Sequence, residues 1–436
     1  MDSPAISSSN RKTFNRLGPF LIAIVIPFIL QSISASSRYN WKLIVGIVIM
    51  VALATWVFKS TPTKDLTHRD QLRLTKTPFE RSISLIAVFV AISIPFILSA
   101  DIDPPFDFPW STWMRLVNFI FAFALGAAAF NLLVGFTGQI SLGHVAFLIL
   151  GTIVGAQIGV VWELPFWVTL PASLAAGAVI GIIVGLPALR LRGLYLLLAT
   201  LGVHFLSLML WKDYILAKFG FVGARFPDPT IPSWLHWLPF IEPDEDGVFL
   251  IDSMFRWYWV ILVICTATLL FMTNITRTRD GRAFEAVRER DISASLLGIN
   301  VARSKLIAFA VSSAVVTMSG TILSYLVSAR GEESFSLQIV IDYSIIIVVG
   351  GFASIQGAFF GSVFYWVFPE LFQWGRQEIP GIKSIGFLSD YPEEIDLGVN
   401  GLLVLLILLF KPSGLSGIWQ DMKAAIERKI LSRSSS

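Results

Sequence analysis

NITRTRDGRAFEAVRERDISASLLGINVARSK, residues 274–305, is a charged stretch enclosed by two long apolar runs, residues 258–272 and 306–327. A segment this polar belongs outside the hydrocarbon layer of a membrane, because a Lys, Arg or Asp side chain at the centre of a spanning helix costs roughly 2.5–3.5 kcal/mol. We therefore expect this stretch to lie at the water side of a membrane and the two apolar runs to cross it.

Within the stretch, residues 281–297 predict a short amphipathic helix at the membrane surface. Asp280 is the expected N-cap, and Gly298 is the expected C-terminal stop. The apolar side chains do not all share one face, so the segment forms either one helix or two short helices that break near Asp291.

The main apolar face of this segment forms a ridge at a spacing of about 3.6 residues per turn. We define the apolar ridge as Ala283, Phe284, Val287 and Ala294. Ile292 and Leu296 fall on another side of the segment. Two interpretations are open: a helix that lies flat on the lipid surface, or a docking element that offers its ridge to a soluble partner.

The composition is that of a membrane protein. Of 436 residues, 55% are hydrophobic and only 14% are charged, whereas soluble domains contain about 25% charged residues. Apolar runs long enough to span a bilayer recur from end to end. These features predict an all-α polytopic membrane protein with about 10–12 transmembrane helices, some of them short or broken.

Several classes of function find no support in the sequence. Cys265, the single cysteine, lies in an apolar run, and the four histidines show no metal-ligand spacing. No G-x-x-x-x-G-K-[ST] loop is present for binding ATP, and no nucleophile–base pair suggests membrane enzyme chemistry. We expect a chain without enzyme activity, without a metal or cofactor of its own, and without a nucleic-acid partner.

The apolar runs divide the chain into three regions. We expect an N-terminal extension with about three transmembrane helices (1–110), a membrane core (111–411) and a cytoplasmic basic tail (412–436). The expected spans are residues 18–36, 41–58, 83–100, 114–134, 140–161, 166–189, 193–211, 255–273, 304–328, 338–352, 357–373 and 396–411. The tenth and eleventh are short and Gly-rich where they meet, which favours broken helices or a re-entrant pair.

The Lys and Arg residues favour one orientation in the membrane. If twelve spans alternate, five basic segments fall on one side: 11–16, 59–81, 190–192, 277–303 and 411–433. Acidic loops collect on the other side: 101–107, 228–252 and 393–396. Because short basic loops stay cytoplasmic, we expect a multi-pass protein of the cell inner (plasma) membrane with both termini in the cytoplasm.

A polar, Gly-rich connection, residues 131–147, joins the fourth and fifth expected spans. Polar side chains at membrane depth face protein or a water-filled path. The connection is therefore either a packing seam with satisfied polar groups or part of a solute path. The candidate path residues are Asn131, Gln139, Ser141, His144, Thr200, His204 and Ser344.

Four motifs, in this order, resemble those of the permease subunits of branched-chain amino acid ABC importers, the M-type subunit in particular. They are GFTGQISLGHVAF (135–147), RLRGLYLLLATLG (190–202), GRAFEAVRERDISASLLGINVARSKLIAFAVSS (281–313) and VVGGFASIQGAFFGSVF (348–364). The resemblance covers roughly residues 114–411. Urea permeases of the same superfamily share these motifs, and ribose-type sugar permeases are more distant relatives.

The resemblance implies a set of partners for the chain. They are a homologous second permease subunit, two cytoplasmic ABC ATPases that bind ATP, and a periplasmic or extracellular solute-binding protein, all assembled in membrane lipid. In such permeases the segment matching 281–299 includes the helix that contacts an ATPase, so the resemblance implies that this chain has a cytoplasmic coupling helix. The residues that this implies for ATPase coupling are Gly281, Phe284, Glu285, Ala286, Val287, Arg288, Gly298 and Ile299.

The predicted function is ATP-driven import of branched-chain, hydrophobic amino acids. A urea or amide ABC permease is the alternative within the class. Members of the family often carry T-G-G-x-x-G-L after the span matching 193–211, where this chain has KFGFVGARF (218–226). An ion-coupled secondary transporter is a further alternative, which several buried carboxylates would favour; Asp342 is the one carboxylate that we place within a span.

Overall fold

The computed structural model describes residues 110–422, except 140, 192, 220–224, 231–250, 252, 328–334, 336–337, 379–391 and 412. The three spans expected before residue 110 and the tail after residue 422 lie outside the described residues. The division of the chain into an extension, a core and a tail therefore stays a prediction.

The described residues fold into helices joined by loops. In chain order they are α1 (Trp110–Asn131), α2 (His144–Gly155), α3 (Phe166–Ala188), α4 (Leu194–Phe219), α5 (Met254–Arg277), α6 (Arg279–Glu289), α7 (Asp291–Leu296), α8 (Val301–Leu326), α9 (Gln338–Gly350), α10 (Ile355–Glu378), α11 (Pro392–Phe410) and α12 (Gly414–Met422). Two π-helical segments continue α1 and α2: π1 (Leu132–Phe136) and π2 (Ala156–Val161).

The nine spans expected after residue 110 all coincide with helices. Among the described residues, six helices are long and apolar enough to cross a membrane, and two bent pairs raise that number to eight if each pair is one span. One bent pair is α9 with α10, which meet at 116°. The helical membrane fold and the broken geometry expected at 338–373 are thus confirmed.

Helix α8 is the centre of the described fold. It packs against α1, α2 and α3, and its residues from Ser312 to Leu326 are all buried. Many of these side chains are Ser, Thr, Gly or Ala, which let neighbouring backbones approach closely. The central position of α8 therefore follows from the small side chains on several of its faces.

The seam between α3 and α8 shows how that approach is achieved. Every fourth residue of α3 from Ser173 to Gly185 is small and buried. A Cβ atom added at Gly181 would lie 2.7 Å from the Ser313 Cβ, closer than real Cβ atoms approach. The close contact of these helices thus depends on the absence of side chains on one face of α3.

Candidate functional site

The charged stretch that follows α5 forms two short helices. The backbone of Arg290 is extended (φ −159°, ψ 113°), which ends α6 and lets α7 start at Asp291. The Lys305 Nζ atom lies 2.5 Å from the Asp291 Oδ2 atom and so holds the start of α7 to α8. The two-helix alternative is therefore the one found, and Asp291 has a clear partner.

The expected N-cap at Asp280 is wrong. Thr278 occupies that position with an extended backbone, and Asp280 lies in the first turn of α6. The Thr278 hydroxyl turns back to donate to the Ile275 carbonyl at 2.7 Å. Helix α6 begins this early because only one residue separates it from α5. In the first turn, the negative charge of the Asp280 carboxylate still interacts favourably with the positive end of the helix dipole.

Gly298 ends α7, as expected. Its φ of +80° lies in the left-handed region, which glycine enters without a steric penalty. The Gly298 amide donates to the Ser295 carbonyl at 3.0 Å, and the Ile299 amide donates to the Ala294 carbonyl at 3.1 Å. This pair of bonds is a Schellman motif.

The apolar ridge faces the body of this chain and not the solvent, which corrects the expectation that it is offered to a partner. Phe284, Val287 and Ala294 are 0%, 3% and 1% exposed, and α6 packs against α5, α8 and π1. Periodicity identifies a face that must be buried, but it does not tell whether the chain itself or another molecule covers it.

The residues implied for ATPase coupling divide between two faces of this element. Gly281, Phe284 and Val287 are buried, and Ala286 and Ile299 are half-buried. The exposed members are Glu285, Arg288 and Gly298. The inner group therefore seats the element, and the outer group is accessible to another molecule.

A different apolar surface is exposed at the end of α7. Ile292, Leu296 and Leu297 are 74%, 83% and 79% exposed; we call these three residues the apolar tip. Sequence periodicity separates Ile292 and Leu296 from the ridge, but the part played by Leu297 depends on the turn at Gly298. The tip is the part of this element that a partner could cover.

The loop between π1 and α2 lies beside this element. A Cβ atom at Gly138 would lie 3.4 Å from the Arg288 Cγ, so the Arg288 stem covers the loop backbone. The Gln139 side-chain amide donates to the Thr137 hydroxyl at 2.9 Å and to the Lys305 carbonyl at 3.4 Å. Gln139, a candidate path residue, thus ties the loop to the start of α8.

Asn131 is buried and hydrogen-bonded on both sides of its amide. Its Nδ2 atom donates to the Gly351 and Ser354 carbonyls at 3.1 and 2.9 Å, and its Oδ1 atom accepts from the Ala353 amide at 3.0 Å. The Asn131 side chain, at the end of α1, is therefore bound to the turn between α9 and α10 and has little hydrogen-bonding capacity left for a passing solute.

His144 faces a narrow cavity between α1, α2, α8 and α9. The lining residues are Gly126, Phe130, His144, Val145, Leu148, Val316, Val340 and Tyr343. Its volume is about 10 Å³, which is room for about one water molecule. Both His144 ring nitrogens and the Ser141 hydroxyl are buried without a partner among the described residues.

Buried polar groups without a partner are uncommon, because each one sacrifices its hydrogen bonds to water. Three aromatic rings surround the His144 imidazole at centroid distances of 5.5–5.9 Å: Phe130, Phe147 and Phe309. This cage offers no hydrogen-bonding oxygen or nitrogen to the imidazole. His144 is therefore available to bind a polar molecule that enters the cavity.

His144 is the candidate path residue that lines this cavity, and the others lie elsewhere in the described structure. The Thr200 hydroxyl accepts from the Leu142 amide at 3.2 Å, which places α4 next to Ser141. His204, one turn further along α4, is buried, and neither of its ring nitrogens has a partner among the described residues. The Ser344 hydroxyl is bonded within α9 to the Val340 carbonyl at 2.8 Å. No three His, Cys, Asp or Glu residues converge on a metal position in the described part of the chain.

Several segments predicted to share one side of the membrane lie together in the structure. Asn131 binds the turn at Gly351, and π1 contacts α6. A Cβ atom at Gly414, after α11, would lie 2.6 Å from the Gly351 nitrogen. The apolar helices, with the polar α6–α7 element at one end, define a multi-pass helical membrane protein.

Residues 113–408 match the family described as branched-chain amino acid transport system / permease component. The match covers most of the chain, and the chain belongs to this family of ABC transporter membrane subunits. The resemblance inferred from the four motifs is confirmed.

Curated relatives include both types of permease subunit. The high-affinity branched-chain amino acid transport system permease proteins LivM of Salmonella typhimurium and Escherichia coli are each 28% identical over 301 residues, which is 65% of this chain and 65% of theirs. LivH of Salmonella typhimurium is 25% identical over 312 residues, 68% of this chain and 91% of LivH. The chain thus covers 65% of the LivM relatives' length. No solved structure matches it.

Proposed function

We propose that this chain is the membrane-spanning permease subunit of an ATP-driven importer of branched-chain, hydrophobic amino acids. Its partners are a homologous second permease subunit, two cytoplasmic ATPases that bind ATP, and an external solute-binding protein. The complex lies in the inner (plasma) membrane, with both termini of this chain in the cytoplasm. The observation that carries the proposal is the α6–α7 element, which is seated on the permease body and exposes an apolar tip.

The two faces of α6–α7 suit the transmission of force. The ATPase covers the apolar tip, and the Glu285 and Arg288 side chains are exposed on the preceding helix α6. Phe284 and Val287, which are buried against the body, carry the motion toward α8 and π1. Gly281 keeps α6 close to α5, since a Cβ atom there would lie 2.6 Å from the Thr276 Cα. The half-buried Ala286 and Ile299, with the turn at Gly298, shape the rest of the element.

The solute path passes the His144 cavity. His144 supplies a polar group to a cavity wall that is otherwise mainly apolar, and both His144 and the nearby Ser141 have side-chain polar atoms without partners in the described structure. The cavity as described holds about one water molecule, so the surrounding helices separate when an amino acid passes His144. Gln139, Thr200, His204 and Ser344 are the further polar residues that we assign to the path, while the Asn131 side chain is engaged by the turn between α9 and α10.

The test is transport by the complete complex in proteoliposomes. The chain is purified with its second permease and ATPases, and uptake of radiolabelled leucine, valine and urea is measured with the binding protein outside and ATP inside. We expect leucine and valine uptake that stops when the catalytic site of both ATPases is inactivated. Uptake that continues without ATP hydrolysis, or uptake of urea alone, would contradict the proposal.

A further inference from the structure

We propose that Asn131 is a positioning residue that makes the turn between α9 and α10 move together with the α6–α7 element. This inference rests on the proposed function, because it concerns how ATP hydrolysis by the partners reaches the membrane helices. The buried side-chain amide of Asn131 then links the α6–α7 element to the bent pair α9–α10.

The contact between Asn131 and the turn uses most of the side-chain amide. Both N–H donors and one acceptor position are occupied by backbone groups of Gly351, Ala353 and Ser354, at 2.9–3.1 Å. The side chain is 0% exposed, so water does not compete for these bonds. A primary amide can make four such bonds, and Asn131 makes three of them to a single turn of four residues, 351–354.

The turn itself needs this support. Gly351 has a φ of +116°, and Ala353 has a φ of +55° in the left-handed region, where a side chain is disfavoured. Residues in such conformations persist when the surrounding structure holds them. The bond from the Ala353 amide to the Asn131 Oδ1 atom holds Ala353 directly. The 116° bend between α9 and α10 is located at this turn.

On its other side, Asn131 is continuous with the contact to α6. It is the last residue of α1, and π1 follows without a break. Helix α6 packs against π1, and Arg288 covers Gly138 two residues after π1 ends. Short π-helical segments are found frequently at functional sites. One short segment, residues 131–138, therefore touches both the turn and the coupling element.

Gly135 shows how tightly this segment fits. A Cβ atom at Gly135 would lie 2.6 Å from the Ala353 nitrogen and would also collide with the Asn131 side chain. The π1 backbone, Asn131 and the turn are thus in direct contact. Packed side chains and hydrogen-bond networks carry coupling between distant sites, and these three parts form such a connected set of contacts.

The test compares two buried asparagines of α1 in the complete reconstituted complex. Asn131→Leu removes the bonds to the turn and keeps the approximate shape. The matched control is Asn118→Leu, since Asn118 is 1% exposed and donates to the Met254 carbonyl at 2.8 Å, away from the turn. The measurements are amino acid imported per ATP hydrolysed, thermal stability of the complex, and hydrogen exchange of the 351–354 amides.

We expect Asn131→Leu to lower the amount imported per ATP by about tenfold and to speed exchange at Ala353, while ATP hydrolysis continues. Asn118→Leu should lower thermal stability and leave the import-to-hydrolysis ratio unchanged. A normal ratio in Asn131→Leu, or an equal loss in Asn118→Leu, overturns the inference. If the unmodified complex shows no ATP-dependent import, the proposed function has failed instead.

A second pair of variants covers the case in which Asn131→Leu does not assemble. Gly135→Ala disturbs the same contact from π1, and Gly202→Ala is its control because a Cβ atom at Gly202 meets nothing within 4 Å. The import-to-hydrolysis ratio should fall in Gly135→Ala alone. Failure of both Asn131→Leu and Gly135→Ala to assemble, with both controls intact, would assign the contact to folding alone and overturn the inference.

Discussion

At the scale of single residues, His144 and Thr152 show two different uses of a polar side chain on α2. Both are buried. The Thr152 hydroxyl lies 2.7 Å from the Ser324 hydroxyl, a hydrogen bond that joins α2 to α8. His144 has no such partner among the described residues and faces a cavity. A bonded group stabilises the helix contact, whereas a buried group without a bond is costly and needs another explanation.

This contrast predicts opposite results for two substitutions. His144→Leu should leave the free energy of unfolding within about 1 kcal/mol of the native value or raise it, because a costly buried group is replaced by an apolar one. Amino acid uptake should nevertheless fall strongly. Thr152→Val should lower the free energy of unfolding by about 1 kcal/mol and retain uptake. Thermal unfolding in detergent and proteoliposome uptake are the measurements, and normal uptake by His144→Leu would remove it from the path.

At the scale of elements, α6 and α7 separate support from contact. The apolar ridge of α6 is covered by the chain's own helices, while the apolar tip of α7 is open. The extended backbone at Arg290 rotates α7 relative to α6, so that Ile292 and Leu296 face away from the body. Exposed large apolar side chains that lie together are typical of interaction sites.

The tip predicts where an ATPase binds. Leu296→Asp combined with Leu297→Asp should abolish copurification of the ATPases, because two carboxylates would enter an apolar contact. Ser293→Asp is the control, since it adds a charge at an exposed position of the same helix outside the tip. The double variant should still reach the membrane in the same amount as the native chain. Normal ATPase copurification, together with weaker binding of the purified chain's α7 to lipid, would favour the lipid-surface interpretation.

At the scale of the whole molecule, the distribution of charge and the packing of the helices agree. Segments that alternation of the spans assigns to one side, namely the end of α1, the α6–α7 element, the α9–α10 turn and the residues after α11, are neighbours in the structure. The bends of both pairs, α9–α10 and α11–α12, lie within this same group of segments. The orientation of the group toward the cytoplasm is the prediction that follows from the basic residues.

Cysteine labelling tests this orientation, because the native Cys265 is buried and should remain silent. Ser295→Cys places a thiol on exposed α7, and Trp162→Cys places one at the exposed end of π2, where the side chain is 59% exposed. A membrane-impermeant maleimide should label Trp162→Cys in intact cells and Ser295→Cys only after the membrane is opened. The reverse pattern would invert the topology.

The sequence by itself determined the helical membrane class, the nine apolar segments expected after residue 110, the stop at Gly298 and the family, because these depend on hydropathy, turn chemistry and motifs that are local in the chain; it left open whether the charged stretch breaks near Asp291. Only the tertiary structure decided that the ridge is covered from within, that Ile292, Leu296 and Leu297 are the open surface, and that Asn131 holds the turn at Gly351. Periodicity shows that a side chain must be buried, or that an amide must find partners. Which atoms bury that side chain or bind that amide depends on contacts between distant parts of the chain. Asn131 and the turn it binds, for example, are more than two hundred residues apart. Hydropathy carries no information about such contacts.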